Sequence, residues 1–403
     1  MTIKRVRVEE LRAGMYVHDL NCGWLQHGFL RPQFLIKHTG QIQKMQAQGL
    51  DEIYIDTAHG DDVIGAPTQV EIEQGLAQQL KESATGASLP SAPISQQEES
   101  VAAKRILGEA AGVVDGLLHD VRLGKQLEPA KARPLVKAMH ASVLRNPGAL
   151  ISLSRIKAAD TYTFQHSVSI CALLVSFAHA LGMDSASVEE AGLGGLLHDV
   201  GKMKVPNEIL NKPGKLTDEE FSIMKSHASI SRDILMAVPG ISSMVIQIAG
   251  EHHEKMAGGG YPRGIAAPEI SQIGRMTAIV DVYDALTSNR VYHKGMEPTE
   301  VLKKLLEWSG SHLDGELVQQ YIRVLGIYPV GSLVRLSGGR LAVVTEQSED
   351  LLRPTVRVVY DTARKLRLQP RDLHLIQASE EIVEYEDPLE WDLNPLEYLL
   401  ASS

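Results

Sequence analysis

The chain has 403 residues, with 40 Lys or Arg against 50 Asp or Glu and a formal net charge of −10. At 44% hydrophobic and 22% charged residues it reads as a globular protein of two or three domains, which excludes a disordered chain. The acidic balance argues against non-specific binding to a nucleic acid polymer or an anionic membrane, and leaves room for a small anionic ligand at a locally positive site.

Taken in chain order, the first seven residues carry charges with no apolar run after them, so no secretory signal is read. Residues 1–62 predict a small α+β module. Within it, 15–17 and 52–56 are strand-like runs. Residues 34–50 read as a helix that stops near Gly49. Trp24, Phe29 and Phe34 read as the module's own core. Residues 63–100 are expected as a linker, centred on the Ser/Ala/Pro/Gly-rich stretch 84–93.

Residues 101–150 predict a helical connector. Ile106, Ala110, Val113, Val114, Leu117, Leu118 and Val121 follow helical spacing and form one apolar stripe. That stripe serves either its own domain or a homodimer through the 101–122 helix. Residues 151–325 are helical in pattern. Their most apolar stretch, 168–181, is too short to span a bilayer. From 326 to 403 the pattern turns to β, with 333–336 and 341–344 as a hairpin and 355–360 as a further strand. Glu380, Glu381, Glu384, Glu386 and Asp387 read as a solvated acidic tail. Two cysteines, Cys22 and Cys171, are too few for a disulfide scaffold or a Cys-rich zinc site. These features together predict a cytoplasmic protein with no membrane span.

The histidines, 15 in all, carry most of the information. His166, the pair His198/Asp199, His227, the pair His252/His253 and Asp281 recur through the helical middle. A lone histidine on a helix is usually a packed side chain. Two adjacent pairs, two single histidines and an apolar-flanked aspartate are harder to explain that way. Adjacent helical residues point about 100° apart, so each pair works best at a helix end. Gly201 supplies a stop signal after the first pair, and the second runs into a glycine-rich loop. Imidazole and carboxylate without thiolate favour iron, manganese, nickel or zinc over calcium or magnesium. Seven ligands suit two ions, an arrangement used in phosphoryl chemistry. Lys202, one turn after His198, is placed to offset phosphate charge or to protonate a leaving oxygen; otherwise it is a solvated helix-end lysine.

The run Leu-Leu-His-Asp-Val-Gly-Lys over 196–202 resembles the signature of the HD phosphohydrolase superfamily. His-His-Glu-Lys-Met-Ala-Gly-Gly-Gly-Tyr-Pro over 252–262 resembles that of its HD-GYP branch, as does 280–288 followed by Arg290. The segment 14–17 is similar to an uncharacterised module that precedes some HD-GYP domains. The resemblance implies a mainly α protein. Its core would be an all-helical, HD-type metal-dependent phosphohydrolase at 151–325, with a small α+β N-terminal domain and a short C-terminal β region. It implies a cyclic di-GMP phosphodiesterase giving linear pGpG, with either pGpG or GMP as the final product. Two divalent transition-metal ions are implied, iron or manganese ahead of nickel or zinc. The implied ligands are His166, His198, Asp199, His227, His252, His253 and Asp281, with Asp199 bridging. Asp199 and Lys202 would be catalytic, and Gly260, Tyr261, Arg290 and Lys294 would bind substrate. A diguanylate cyclase or another signalling protein is the expected protein partner.

Two positions depart from the family pattern. Tyr162 stands where members with a third metal carry glutamate, so two ions are expected, although Asp160 is near. Ala257 replaces the usual aspartate of the Gly-Tyr-Pro loop, which predicts a loop mobile without ligand, slow turnover and accumulation of pGpG. The alternatives are a cyclic di-GMP receptor with weak turnover and an HD hydrolase of another nucleotide.

Overall fold

The computed structural model describes residues 2–22, 33–84, 93–155, 162–288 and 295–400. Strands β1 (Ile3–Arg7), β2 (Tyr16–Asp19), β3 (Phe34–Leu35) and β4 (Glu52–Asp56) form an antiparallel sheet in the order β1-β4-β2-β3. Helix α1 (Thr39–Ala47) crosses between β3 and β4. Met15, Val17, Ile36, Met45, Ile53 and Ile55 are fully buried between sheet and helix. The single helix expected over 34–50 is therefore two elements. Phe34 and Leu35 pair with Val17 and Tyr16, gaining ladder bonds that an early helical turn would forgo. Phe34 packs against the module's core; Trp24 and Phe29 lie outside the described residues.

The stretch expected as a linker carries helix α2 (Gln69–Ala84). Leu76, Leu80 and Ala84, four residues apart, turn one face into the large core, so the segment buries apolar area instead of spacing domains. Helix α3 (Gln96–Arg122) starts at a capping box in which Ser95 and Glu98 exchange hydrogen bonds. Its apolar stripe, from Ile106 to Val121, faces inward. It is covered by α4 (Arg133–Arg145), α5 (Pro147–Arg155) and α6 (Tyr162–Ala180) of the same chain. Of the two uses read for that stripe, the structure has the intrachain one. Glu99 on α3 is buried and accepts from Arg145 Nε at 2.6 Å, Arg145 Nη2 at 2.8 Å and Ser142 Oγ at 2.6 Å.

The helical body continues through α7 (Ser185–Leu197), α8 (Asn207–Leu210), α9 (Asp218–Met236), α10 (Ser243–Glu251), α11 (Gln272–Thr287), α12 (Pro298–Glu307) and α13 (Gly315–Leu325). One hydrophobic core runs from α2 to α13. After it, β5 (Leu333–Leu336), β6 (Arg340–Glu346), β7 (Thr355–Asp361), β8 (Leu366–His374) and β9 (Ile382–Glu386) form an antiparallel sheet in the order β8-β7-β6-β5-β9. The β5–β6 hairpin pairs Leu333 with Val343. The acidic stretch expected as a solvated tail is partly β9, paired with β5; there Glu386 is buried and accepts from Trp391 Nε1 at 2.8 Å. Helix α14 (Pro395–Leu400) returns to pack on α3 and β6. Among the described residues, no helix is long and apolar enough to cross a membrane.

Candidate metal centre

Five helices converge on one buried site. His166 comes from α6, His227 from α9 and Asp281 from α11. Both adjacent pairs sit at helix C-termini: His198 caps α7 and His252 caps α10. Asp199 leaves α7 into a short 3-10 turn, Val200–Lys204, that carries Lys202. That turn lies close on α9 because Gly201 has no side chain. A Cβ there would collide with the carbonyl oxygen of His227, and Gly201 N instead donates to Ser231 Oγ at 2.8 Å. The glycine read from sequence as a helix stop thus also sets His227 beside Asp199.

The ligand atoms form two groups, His166, His198 and Asp199 in one and His227, His252 and His253 in the other. Asp199 faces both. Its Oδ2 lies 3.3 Å from His198 Nε2 and 3.5 Å from His166 Nε2; its Oδ1 lies 3.3 Å from His227 Nε2 and 3.8 Å from His252 Nε2. Asp281 Oδ1 is 3.2 Å from His166 Nε2, and its Oδ2 is 4.0 Å from His253 Nδ1. Lys202 Nζ donates to Asp199 Oδ2.

The outer nitrogens show which atoms are offered inward. His198 Nδ1 donates to Gly195 O at 2.8 Å, His227 Nδ1 to Met224 O at 2.7 Å, and His252 Nδ1 to Ile248 O at 3.1 Å. With Nδ1 engaged in this way, each ring turns its Nε2 toward the centre. His166 Nδ1 lies 2.7 Å from Asp284 Oδ2. The nitrogens His166 Nε2 and His198 Nε2 approach to 3.3 Å. Asp199 Oδ1 and His252 Nε2 are buried without a hydrogen-bond partner. Asp199 Oδ1 and His252 Nε2, two such acceptors 3.8 Å apart, are unfavourable by themselves, and a cation between them would satisfy both. The donor set of imidazole and carboxylate fits a divalent transition metal.

The electrostatics agree. Burial pushes the imidazoles of His227 and His252 down to about 4 and about 3, so they stay neutral and able to ligate. Burial also drives His253 well below the usual histidine range. For Asp199, burial raises the carboxyl, but the charges of His198 and Lys202 outweigh it and hold the group well below the usual carboxylate range. Asp281 is likewise held low against its burial, chiefly by His166. Burial lowers His166 too, yet hydrogen bonds to Asp199, Asp281 and Asp284 raise it to about 10.

Tyr261 lies over His253, ring centroids 4.5 Å apart and planes at 32°. Its loop turns at Gly258 and Gly259, with φ of 85° and 73°. At Gly260 a Cβ would sit 2.5 Å from Glu254 Cα, so the glycine there serves close approach of the loop to the backbone. The loop expected to be loose for want of an aspartate at 257 is tied elsewhere. Glu254 Oε1 accepts from Arg263 N at 2.7 Å and Gly264 N at 3.1 Å, Tyr261 N donates to His253 O at 3.1 Å, and Ala257 N donates to Ser311 O at 2.8 Å. A cavity of about 400 Å³ opens beside His252, His253 and Tyr261.

Arg290, Lys294 and Asp160 lie outside the described residues; Tyr162 is the first residue of α6. Sequence reasoning missed Asp284 and Glu254 as positioning residues. Asp284 had a usable signal, since it follows Asp281 by three residues on one helical face. Glu254 had none, because its partners are backbone amides.

The family of the HD domain matches residues 147–317, and a domain of unknown function (DUF3391) matches residues 3–132. A cyclic di-GMP phosphodiesterase of Pseudomonas aeruginosa is 38% identical over 98% of this chain and 95% of its own length. The chain belongs to the HD-domain cyclic di-GMP phosphodiesterase family. A 3'3'-cGAMP-specific phosphodiesterase of Vibrio cholerae is 38% identical over 43% of this chain and 41% of its own length. A solved HDG"Y"P protein from Bdellovibrio bacteriovorus superposes with a TM-score of 0.48 at 18% identity, over 80% of this chain and 99% of that one. HD domains are metal-dependent phosphohydrolases, and the His/Asp clusters of this family member suit that chemistry.

Proposed function

We propose that the protein hydrolyses cyclic di-GMP to linear pGpG in the cytoplasm, with two divalent transition-metal ions, iron or manganese ahead of nickel or zinc. The observation that carries this reading is Asp199, whose two oxygens face two separate groups of histidines. The substrate class comes from the near full-length likeness to the Pseudomonas phosphodiesterase. The proposed ligands are His166, His198, Asp199, His227, His252, His253 and Asp281. Bound ions would supply a water of lowered pKa and offset the charge of the reacting phosphate.

The remaining chemistry falls to side chains. Lys202 keeps Asp199 anionic and oriented, and offers a proton or a charge to a phosphate oxygen beside it. Tyr261 presents an aromatic face to guanine at the edge of the centre. Gly260 keeps the loop against the backbone of 253–255, so that this face stays in place. Arg290 and Lys294 are assigned to the phosphates. The catalytic unit is taken as 151–325.

The test is elemental analysis of the purified chain together with product analysis after incubation with cyclic di-GMP. About two ions per chain and early pGpG are expected. Metal-loaded protein that binds the dinucleotide and leaves it intact would make it a receptor, and GMP as the main early product would overturn the one-cleavage account.

A further inference from the structure

We infer that the N-terminal module forms one wall of the substrate cavity, and that Gln48 at the end of α1 binds the purine edge of the nucleotide lying away from the metal centre. This rests on the reading of the protein as a cyclic dinucleotide phosphodiesterase. The cavity runs from His252, His253 and Tyr261 on the catalytic side to Lys44 and Gln48 on the module. Neither module residue belongs to any motif that carries the chemistry.

The two sides of the cavity are held together at its rim. Lys255 Nζ donates to Gly49 O at 2.9 Å, and Lys44 Nζ meets Asp218 Oδ2 on α9 at 2.7 Å. Gly49 has φ of 67°, and a Cβ there would lie 3.3 Å from both Lys255 Nζ and Gly259 O. The turn that ends α1 therefore rests directly on the loop that carries Tyr261. A cyclic dinucleotide with one phosphate at the histidines must extend its second nucleotide out of the centre. The cavity leads that half toward the module.

Gln48 is suited to meet it. Its Oε1 is buried and has no hydrogen-bond partner, although the residue lines the cavity. A buried acceptor left unpaired is costly, and a ligand N–H would satisfy it. Guanine offers N–H donors from N1 and N2 on its Watson–Crick edge, where adenine has an acceptor and a C–H. The amide nitrogen of Gln48 can donate to guanine O6 in the same approach. Lys225, whose Nζ lies 5.0 Å from the Phe221 ring centroid, lines the same end and supplies positive charge for the second phosphate. Gln48 is thus a binding residue that favours guanine over adenine, supplied by a module outside the HD domain.

The experiment is steady-state kinetics of the metal-loaded full chain with cyclic di-GMP and with 3'3'-cGAMP. The variants are Gln48→Ala, Gln48→Met and, as a control, Gln46→Ala, which is exposed on the same helix. Loss of the amide should raise KM for cyclic di-GMP about tenfold, leave kcat within about twofold, and narrow the preference between the two substrates. Metal content should not change, and Gln46→Ala should match the wild type. Wild-type KM in Gln48→Ala, its restoration by Gln48→Met, or an equal rise in Gln46→Ala would each overturn the inference alone. A metal-loaded wild type that turns over neither dinucleotide would overturn the functional reading with it.

Discussion

Asp199 is 3% exposed and lies within reach of four histidine rings and one lysine. Replacing it with alanine removes a carboxylate whose oxygens lie 3.3–3.8 Å from nitrogens of both histidine groups. Asp199→Ala should abolish hydrolysis and lower bound metal, as read by elemental analysis of the folded variant. Asp284 acts one step further out, through His166 Nδ1. Asp284→Asn should keep the fold and weaken metal affinity by about 10–100-fold, measured by competition with a chelating dye. These two aspartates differ in how well a sequence displays them. Asp199 stands in a recognisable pair with a histidine. Asp284 is marked only by its spacing from Asp281, and its role appears once α6 and α11 are seen to cross. The histidines were legible because their chemistry is rare at such density. The Glu254 bonds to backbone amides were not, since any acceptor of that reach would read alike.

At the scale of elements, the site depends on how closely the 3-10 turn Val200–Lys204 approaches α9. Gly201→Ala would force the two apart at the His227 carbonyl. The expected cost is about 1–3 kcal/mol of stability, read by denaturant unfolding, with loss of metal from the histidine group that contains His227. The pairing of α3 with α4 is held by a different device. Arg145→Ala would leave Glu99, 1% exposed, with Ser142 as its remaining side-chain partner among the described bonds. A loss of about 2 kcal/mol is expected, and Glu99→Gln in the same background should recover part of it. The helical stripe of α3 was plain in sequence, because period 3.6 is a local property. What covers the stripe was not, because α4, α5 and α6 arrive from later in the chain. Helix α2 was lost in a stretch expected as a linker for the same reason. Its three core residues gain meaning only from the surface they meet.

For the molecule as a whole, the module and the catalytic body meet around Lys255 and His312. His312 Nε2 lies 3.7 Å from Asp51 Oδ2, yet burial and the charge of Lys255 push its imidazole down to about 3. An unfolded histidine titrates near 6.5, so between pH 6.5 and about 3 the unfolded chain binds the extra proton. The stability this group contributes is intact above pH 6.5 and is lost as the pH falls below it. The fall in Tm between pH 7 and pH 5 should therefore be smaller in His312→Gln than in the wild type. An equal fall in both would show that the junction does not feel this proton.

His166 has a different consequence. Three carboxylates surround it, at 2.7, 3.2 and 3.5 Å, and before metal arrives they keep a proton on the ring at neutral pH. A ligating imidazole must give that proton up. Metal uptake is then also an acid-releasing reaction. Adding metal to apoprotein in a weakly buffered solution near pH 7 should make the solution measurably more acidic, and chelation should take the acid back. Each unit of pH rise up to about 10 should tighten the first ion by about tenfold at this ring.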